Sequence, residues 1–166
     1  MTVYVVNHNY GRFLRQAVES VLAQDYPALE ILVVDDASED CSPDVLAELE
    51  RDPRIRVTRQ SANRGLTACC NAALAASTGE LVMRLDADDY LETFAVSRMV
   101  AALVADPAAV LVFPDYVEID ARGVTIRRVQ RHDFNALQGM SDLPAHGACT
   151  MVRRSFLDAV GGYDET

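Results

Sequence analysis

Apolar and polar positions follow one rhythm over the first two thirds of this chain and another over the last third. Thr2 to Val6 is a short β-rich run, and a polar turn from Asn7 to Gly11 follows it. From Arg12 to Gln24 the apolar residues Phe13, Leu14, Ala17, Val18, Val21 and Leu22 form one helical stripe, with Pro27 beyond its end. Leu29 to Val34 is almost continuously apolar, as buried parallel strands are, and ends in Asp35-Asp36-Ala37-Ser38. A helix over Pro43 to Glu50 is predicted, with Ser42 as N-cap and proline at its first position. Ile55 to Arg59 reads as a strand, and Gly65 to Ala76 as a helix closed by Gly79. Leu81 to Leu85 is a fourth strand, and Leu91 to Val104 a helix stopped by Pro107.

The later rhythm is antiparallel. Val110 to Phe113 reads as a strand, and Asp120 to Gly123 is a turn joining Tyr116–Ile119 to Val124–Val129. Arg131 to Ala145 is polar without a period, Ala148 to Val152 a short strand, and Arg153 to Val160 a short helix. Repeated β-α units favour a mostly parallel sheet flanked by helices, with an antiparallel addition. One domain is expected over residues 1–166, split into a β/α half (1–105) and a second half (106–166).

Open parallel sheets bind ligands outside the carboxyl ends of their strands. Four such ends carry polar turns here: Asn7–Tyr10, Asp35–Ser38, Ser61–Gly65 and Asp86–Asp89. The last holds three carboxylates in four residues. A divalent cation is one counter-charge for that cluster, and Mg²⁺ or Mn²⁺ would bring phosphate oxygens with it. The alternative is a solvated turn capping the next helix. Arg64 offers a guanidinium for a base carbonyl, a phosphate or a carboxylate. Its structural alternative is a salt bridge to Asp35 or Asp36.

Composition narrows the classes. A net charge of −10 argues against a nucleic-acid footprint. All 15 basic residues are arginine, which removes any mechanism needing lysine. Cys41, Cys69, Cys70 and Cys149 have neither zinc-ligand nor disulfide-framework spacing, and suit a reducing compartment. No apolar stretch reaches the ~18 residues of a membrane span. The final residues, Gly161 to Thr166, are read as stopping before a closing element.

Several blocks in order resemble the family 2 glycosyltransferases, whose GT-A fold binds nucleotide sugars. They are Val5–Tyr10, Phe13–Gln24, Ile31–Ser38, Asn63-Arg64-Gly65, Asp86-Ala87-Asp88-Asp89, Met151–Arg154 and Gly161–Glu165. The resemblance implies an α/β, Rossmann-like mixed sheet and a glycosyltransferase using a nucleotide-diphospho-sugar, UDP-sugars being the commonest donors. Asn7 and Asn9 would line the nucleotide pocket. Asp35, with Asp36 beside it, would bind the base, and Arg64 would reach the base or these carboxylates. Asp86 would lie near the ribose, and Asp88, with Asp86 nearby, would hold Mn²⁺ or Mg²⁺ against the diphosphate. His146 and Asp89 would lie toward the phosphates and the acceptor, a carbohydrate or lipid-linked glycan. Transfer would invert the anomeric centre, assisted by a carboxylate base.

The family's Glu-Asp base pair is expected a short way beyond the Gly-Gly-Tyr-Asp-Glu block, and Asp164 is a poor substitute for it. The expectation is therefore donor binding with slow or absent transfer. A cytoplasmic location is implied, with peripheral attachment at the inner membrane face as a variant. A non-catalytic sugar-nucleotide-binding module is the alternative. A phospho-receiver is disfavoured by the missing lysine, and a dinucleotide oxidoreductase by the single glycine after the first strand. A nucleotidyltransferase would carry a Gly-rich basic loop there, which Gly11-Arg12 barely supplies.

Overall fold

The computed structural model describes residues 1–130 and 148–165. Its first half is β1 (Thr2–Asn7), α1 (Gly11–Leu22), β2 (Glu30–Asp35), α2 (Ser42–Leu49), β3 (Ile55–Arg59), α3 (Leu66–Ala76), β4 (Leu81–Asp86) and α4 (Ala95–Ala105). Then come β5 (Leu111–Val112), β6 (Tyr116–Ile119), β7 (Thr125–Val129), β8 (Met151–Arg153) and α5 (Arg154–Val160). The main sheet runs β3-β2-β1-β4-β8-β5. Its first four strands are mutually parallel, while β8 is antiparallel to β4 and to β5. Among the described residues, strands β6 and β7 pair only with each other.

Two apolar layers hold the sheet. Val3, Val5, Ile31, Val33, Met83 and Leu85 face Leu14, Val18 and Val21 of α1, Leu46 of α2, and Val96, Met99 and Leu103 of α4. Tyr4, Leu32, Val34 and Val82 face Cys69, Cys70, Ala73 and Leu74 of α3, with Leu157 of α5 packed beside them. The alternation of neighbours such as Val3 and Tyr4 is the period of a strand covered on both faces, which explains the unbroken apolar runs. Each fully buried Leu or Val contributes roughly 1.5–3 kcal/mol.

Three predicted boundaries shift. Helix α4 begins at Ala95, not Leu91. Leu91 is still buried, but its N–H donates to Ser20 Oγ at 3.0 Å instead of entering a helix. Gln24, just beyond α1, holds the connection by donating to the Glu92 carbonyl and accepting from Val96 N–H, at 2.9 and 3.0 Å. Ser42 is not the N-cap of α2 but its first residue. Asp40 serves that helix end by accepting from Ser42 N–H at 2.8 Å, and it also accepts from Gly11 N–H of α1 at 2.9 Å. Burial opposes the Asp40 charge, but bonds from Ser42 and Gly11 hold its carboxyl below the usual range. Finally, α3 ends at Ala76 and its C-cap is Ser77, whose hydroxyl donates back to the Leu74 carbonyl at 2.8 Å; Gly79 lies further on. No helix among the described residues is long and apolar enough to cross a membrane.

The strand order sets the site. From β1 the chain winds outward through β2 and β3, then returns to place β4 on the other side of β1. That reversal is a topological switch point, where adjoining loops turn apart and leave a crevice.

Candidate functional site

The register aligns the strand ends across this crevice. Asn7 pairs with Asp35, and Val6 with Asp86. Asn7 is fully buried, and its amide nitrogen lies 2.6 Å from Asp35 Oδ1, 3.0 Å from Ser38 Oγ and 2.9 Å from Ser42 Oγ. Asp35, 4% exposed, also accepts from the Ser38 hydroxyl at 2.6 Å and from Ser38 N–H at 3.2 Å. Its Oδ2 is thus the less engaged oxygen. The Asn7 side-chain oxygen is buried without a hydrogen-bond partner among the described residues. Asn9 sits outside this buried knot, accepting from Glu39 N–H at 2.7 Å. Asn9 and Ala37 both have positive φ, 61° and 56°, so both turns carry backbone conformations that cost a non-glycine residue about 1–2 kcal/mol.

Asp36 is committed to the next turn. Its two oxygens accept from the N–H groups of Arg64 and Gly65, each at 2.8 Å. Gly65 has φ 84° and ψ 166°, a region essentially restricted to glycine, although none of the described residues lies within 4 Å to obstruct a side chain. It is Arg64's backbone that binds Asp36. Its guanidinium lies 3.9 Å from Glu165, so the salt bridge to Asp35 or Asp36 is replaced by one with Glu165. His8 joins the two turns: Nδ1 faces the Asp36 carbonyl at 2.7 Å and so carries the proton. Its Nε2 then accepts from the Asn63 and Asn9 amides, at 3.1 and 3.2 Å. His8 and Asn63 are absent from the predicted site residues, since a lone polar side chain in a turn gives no sequence signal.

The acidic turn does not cap a helix. Five residues separate Asp89 from Ala95, and none of the described residues gives α4 a side-chain cap. The turn closes by a bond from Asp89 N–H to the Asp86 carbonyl at 3.0 Å. Asp86 is 35% exposed and sits against Arg84, with Nε–Oδ1 at 2.9 Å and Nη2–Oδ2 at 3.4 Å. The first contact is an ion pair without hydrogen-bond geometry, so Nε has no hydrogen-bond acceptor among the described residues. Asp88 is exposed and bonds to none of the described residues.

Among the described residues no three His, Cys, Asp or Glu side chains form a metal cage. Two carboxylates at an open strand end still fit Mg²⁺ or Mn²⁺, which use one or two carboxylates and complete their shells with water and phosphate oxygens.

Arg84 is rooted in a polar patch on the α3 side. Tyr4, its register partner on β1, is 1% exposed and bonds hydroxyl to hydroxyl with Tyr163 at 2.9 Å. The Cys70 thiol interacts electrostatically with both Tyr4 and Arg84. Burial pushes Tyr4 and Cys70 above their ordinary values, keeping both neutral. Burial also disfavours the Arg84 charge, but Asp86, Cys70 and Tyr4 together outweigh it, so its pKa is raised. Asn71 of α3 fixes the other end of the patch, exchanging two bonds with the Tyr163 backbone (2.9 and 2.8 Å) and donating to Glu165 at 2.7 Å. Asp164 is exposed beside this clasp. Arg84 and Asn71 were not predicted as site residues; within apolar elements they read as interruptions. His146 lies outside the described residues.

A family model described as "Glycosyl transferase family 2" matches residues 2–161. An uncharacterized glycosyltransferase of Nostoc sp. is 42% identical over 102 residues, 60% of this chain and 31% of that protein. The succinoglycan biosynthesis protein ExoO of Rhizobium meliloti is 34% identical over 125 residues, 75% of this chain and 36% of that protein. This chain therefore spans about a third of the length of these relatives. Among solved structures, S. aureus TarS (1–349) in complex with UDP superposes with a TM-score of 0.79 at 21% identity, covering 99% of this chain and 50% of that one. Mannosyltransferase PcManGT from Pyrobaculum calidifontis, in complex with GDP-Man and Mn²⁺, gives 0.76 at 25% identity, covering 99% and 47%. The fold is that of the GT-A transferases. With nearly its whole length matched by the family model, the chain belongs to glycosyl transferase family 2.

Proposed function

We propose that this domain binds a nucleotide-diphospho-sugar in the switch-point crevice and presents the sugar for transfer to an acceptor hydroxyl. The observation that carries the reading is that the polar ends of β1, β2 and β4 lie side by side in aligned register. Relatives lend support: TarS is solved with UDP and PcManGT with GDP-Man and Mn²⁺.

In this reading the nucleoside lies along the turns 7–10, 35–38 and 61–65. Asp35 Oδ2 keeps accepting capacity for a base N–H, and Asn7 orients that carboxylate. Asp36 sets the path of the Arg64-Gly65 turn, leaving the Asn9, Asn63 and Arg64 side chains at the rim. Asp86 accepts from a ribose hydroxyl. Asp88, with Asp86, would hold Mn²⁺ or Mg²⁺, which when bound would neutralise charge developing on the diphosphate leaving group. Displacement at the anomeric carbon by an acceptor hydroxyl, with inversion and a carboxylate base, completes the proposal. A carbohydrate or lipid-linked glycan is the acceptor class. Glu165 is engaged by Asn71 and Arg64, so it is not assigned as the base.

The test is a thermal-shift panel of UDP-, GDP- and dTDP-sugars, each with and without Mn²⁺. One donor class should raise the melting temperature in a Mn²⁺-dependent way, because a ligand of the folded state stabilises it by mass action. No shift with any donor would overturn the donor-site reading.

A further inference from the structure

We infer that Arg84 is the resident counter-ion of Asp86, so that the acidic turn retains little affinity for a bare divalent cation and acquires it when a diphosphate is bound. This rests on the donor-site reading above and adds a role for a residue that touches neither nucleotide nor sugar in it.

Three observations carry the inference. First, Asp86 meets Arg84 at two contacts, 2.9 and 3.4 Å. A cation approaching the same carboxylate meets a guanidinium across it, and charges this close repel strongly near a protein surface. Second, Arg84 cannot readily withdraw. Its side chain is 15% exposed, and Cys70 of α3 interacts with it electrostatically. Its backbone carbonyl accepts from Cys149 N–H at 2.7 Å, and Tyr4 beside it on β1 is bonded to Tyr163. Third, Asp88 stands exposed without a bond to the described residues, so it is the carboxylate left for a cation. One such ligand is a weak site for Mg²⁺ or Mn²⁺, which bind through one or two carboxylates together with substrate phosphates. A diphosphate brings both the missing oxygens and the negative charge that offsets Arg84.

Arg84 is therefore a positioning residue with an electrostatic function: it favours metal entry with the donor and disfavours metal alone. The test is a titration with Mn²⁺ in the absence of nucleotide, reading free Mn²⁺ by electron paramagnetic resonance. Arg84→Met should bind bare Mn²⁺ at least tenfold more tightly than the wild type. Arg84→Lys, which keeps the charge, should stay within about threefold of it. Adding Asp86→Asn to Arg84→Met should reverse the gain. A second arm leaves Arg84 intact, in case its replacement prevents folding: Asp86→Asn alone should change bare Mn²⁺ affinity less than threefold. A folded Arg84→Met protein with wild-type Mn²⁺ affinity would overturn the inference, as would a tenfold loss on Asp86→Asn alone. A parallel titration with UDP separates the two readings. Absent UDP binding would refute the donor site, whereas the nucleotide-free arms judge Arg84.

Discussion

The side-chain amide of Asn7 donates to the Asp35 carboxylate at 2.6 Å, joining the last register pair of two parallel strands. Both residues are buried, so the bond fixes the crevice from beneath. Replacing Asn7 with Ala leaves a buried carboxylate short of a donor. The expected cost is about 2–3 kcal/mol, read by urea unfolding. Asn7→Asp should cost more, since it faces one buried carboxylate with another. A cost within error of zero for both would mean that solvent reaches Asp35.

Asp36 makes a similar junction one residue on. Its oxygens hold the N–H groups of Arg64 and Gly65 at 2.8 Å, and Asp36→Ala releases both. A loss of roughly 2 kcal/mol is expected for removing charge-assisted bonds. If the 61–65 turn lines the donor site, nucleotide affinity should fall by more than the Asn63→Ala variant loses. Calorimetric titration of both variants checks this.

Gly11 opens α1 where it touches the start of α2. A Cβ there would lie 2.5 Å from Ser42 N and 2.9 Å from the Cys41 carbonyl carbon, both backbone atoms. Gly11→Ala must therefore move one helix end and disturb Asp40, which binds both. Destabilisation of about 1–3 kcal/mol is expected from overpacking. An unchanged denaturation midpoint would show that the two helix ends move apart freely.

The thiols give a pH-dependent prediction. Burial, with Asp36 adding to it, pushes the Cys69 thiol from 9.0 up to about 12, and burial raises Cys70 as well. The folded protein then keeps protons that the unfolded chain releases. The stability due to this is fully present below pH 9 and is lost as pH rises from 9 toward 12. Exposed Cys41 should react with a disulfide reagent at pH 8, whereas Cys69 and Cys70 should react only on unfolding. Equal rates for all three would refute this burial pattern.

The four parallel strands and their order of polar ends were legible because burial on both faces imposes continuous apolar runs. The start of α4 was not. Leu91 is apolar because it is buried, and helical periodicity cannot distinguish a buried loop residue from the first turn of a helix. Ser42 looked like a cap because serine favours that position, but Asn7, 35 residues earlier in the chain, claims its hydroxyl. The acidic turn stood out in the sequence, while the Arg84 side chain set against it did not. Its position two residues before Asp86 on a strand puts it on the same face, yet only the packing of Tyr4, Cys70 and Tyr163 shows that it is held there.

The central claim is that the crevice beside Asp88 takes a nucleoside diphosphate together with a divalent cation. Its most direct measurement is calorimetric titration of UDP, or of whichever nucleoside diphosphate the panel selects, with and without Mn²⁺, on the wild type and on Asp88→Ala. The account predicts at least tenfold tighter wild-type binding with Mn²⁺, and loss of that gain in Asp88→Ala without loss of folding. Nucleotide binding of equal strength with and without Mn²⁺, or a Mn²⁺ gain that survives Asp88→Ala, would contradict it.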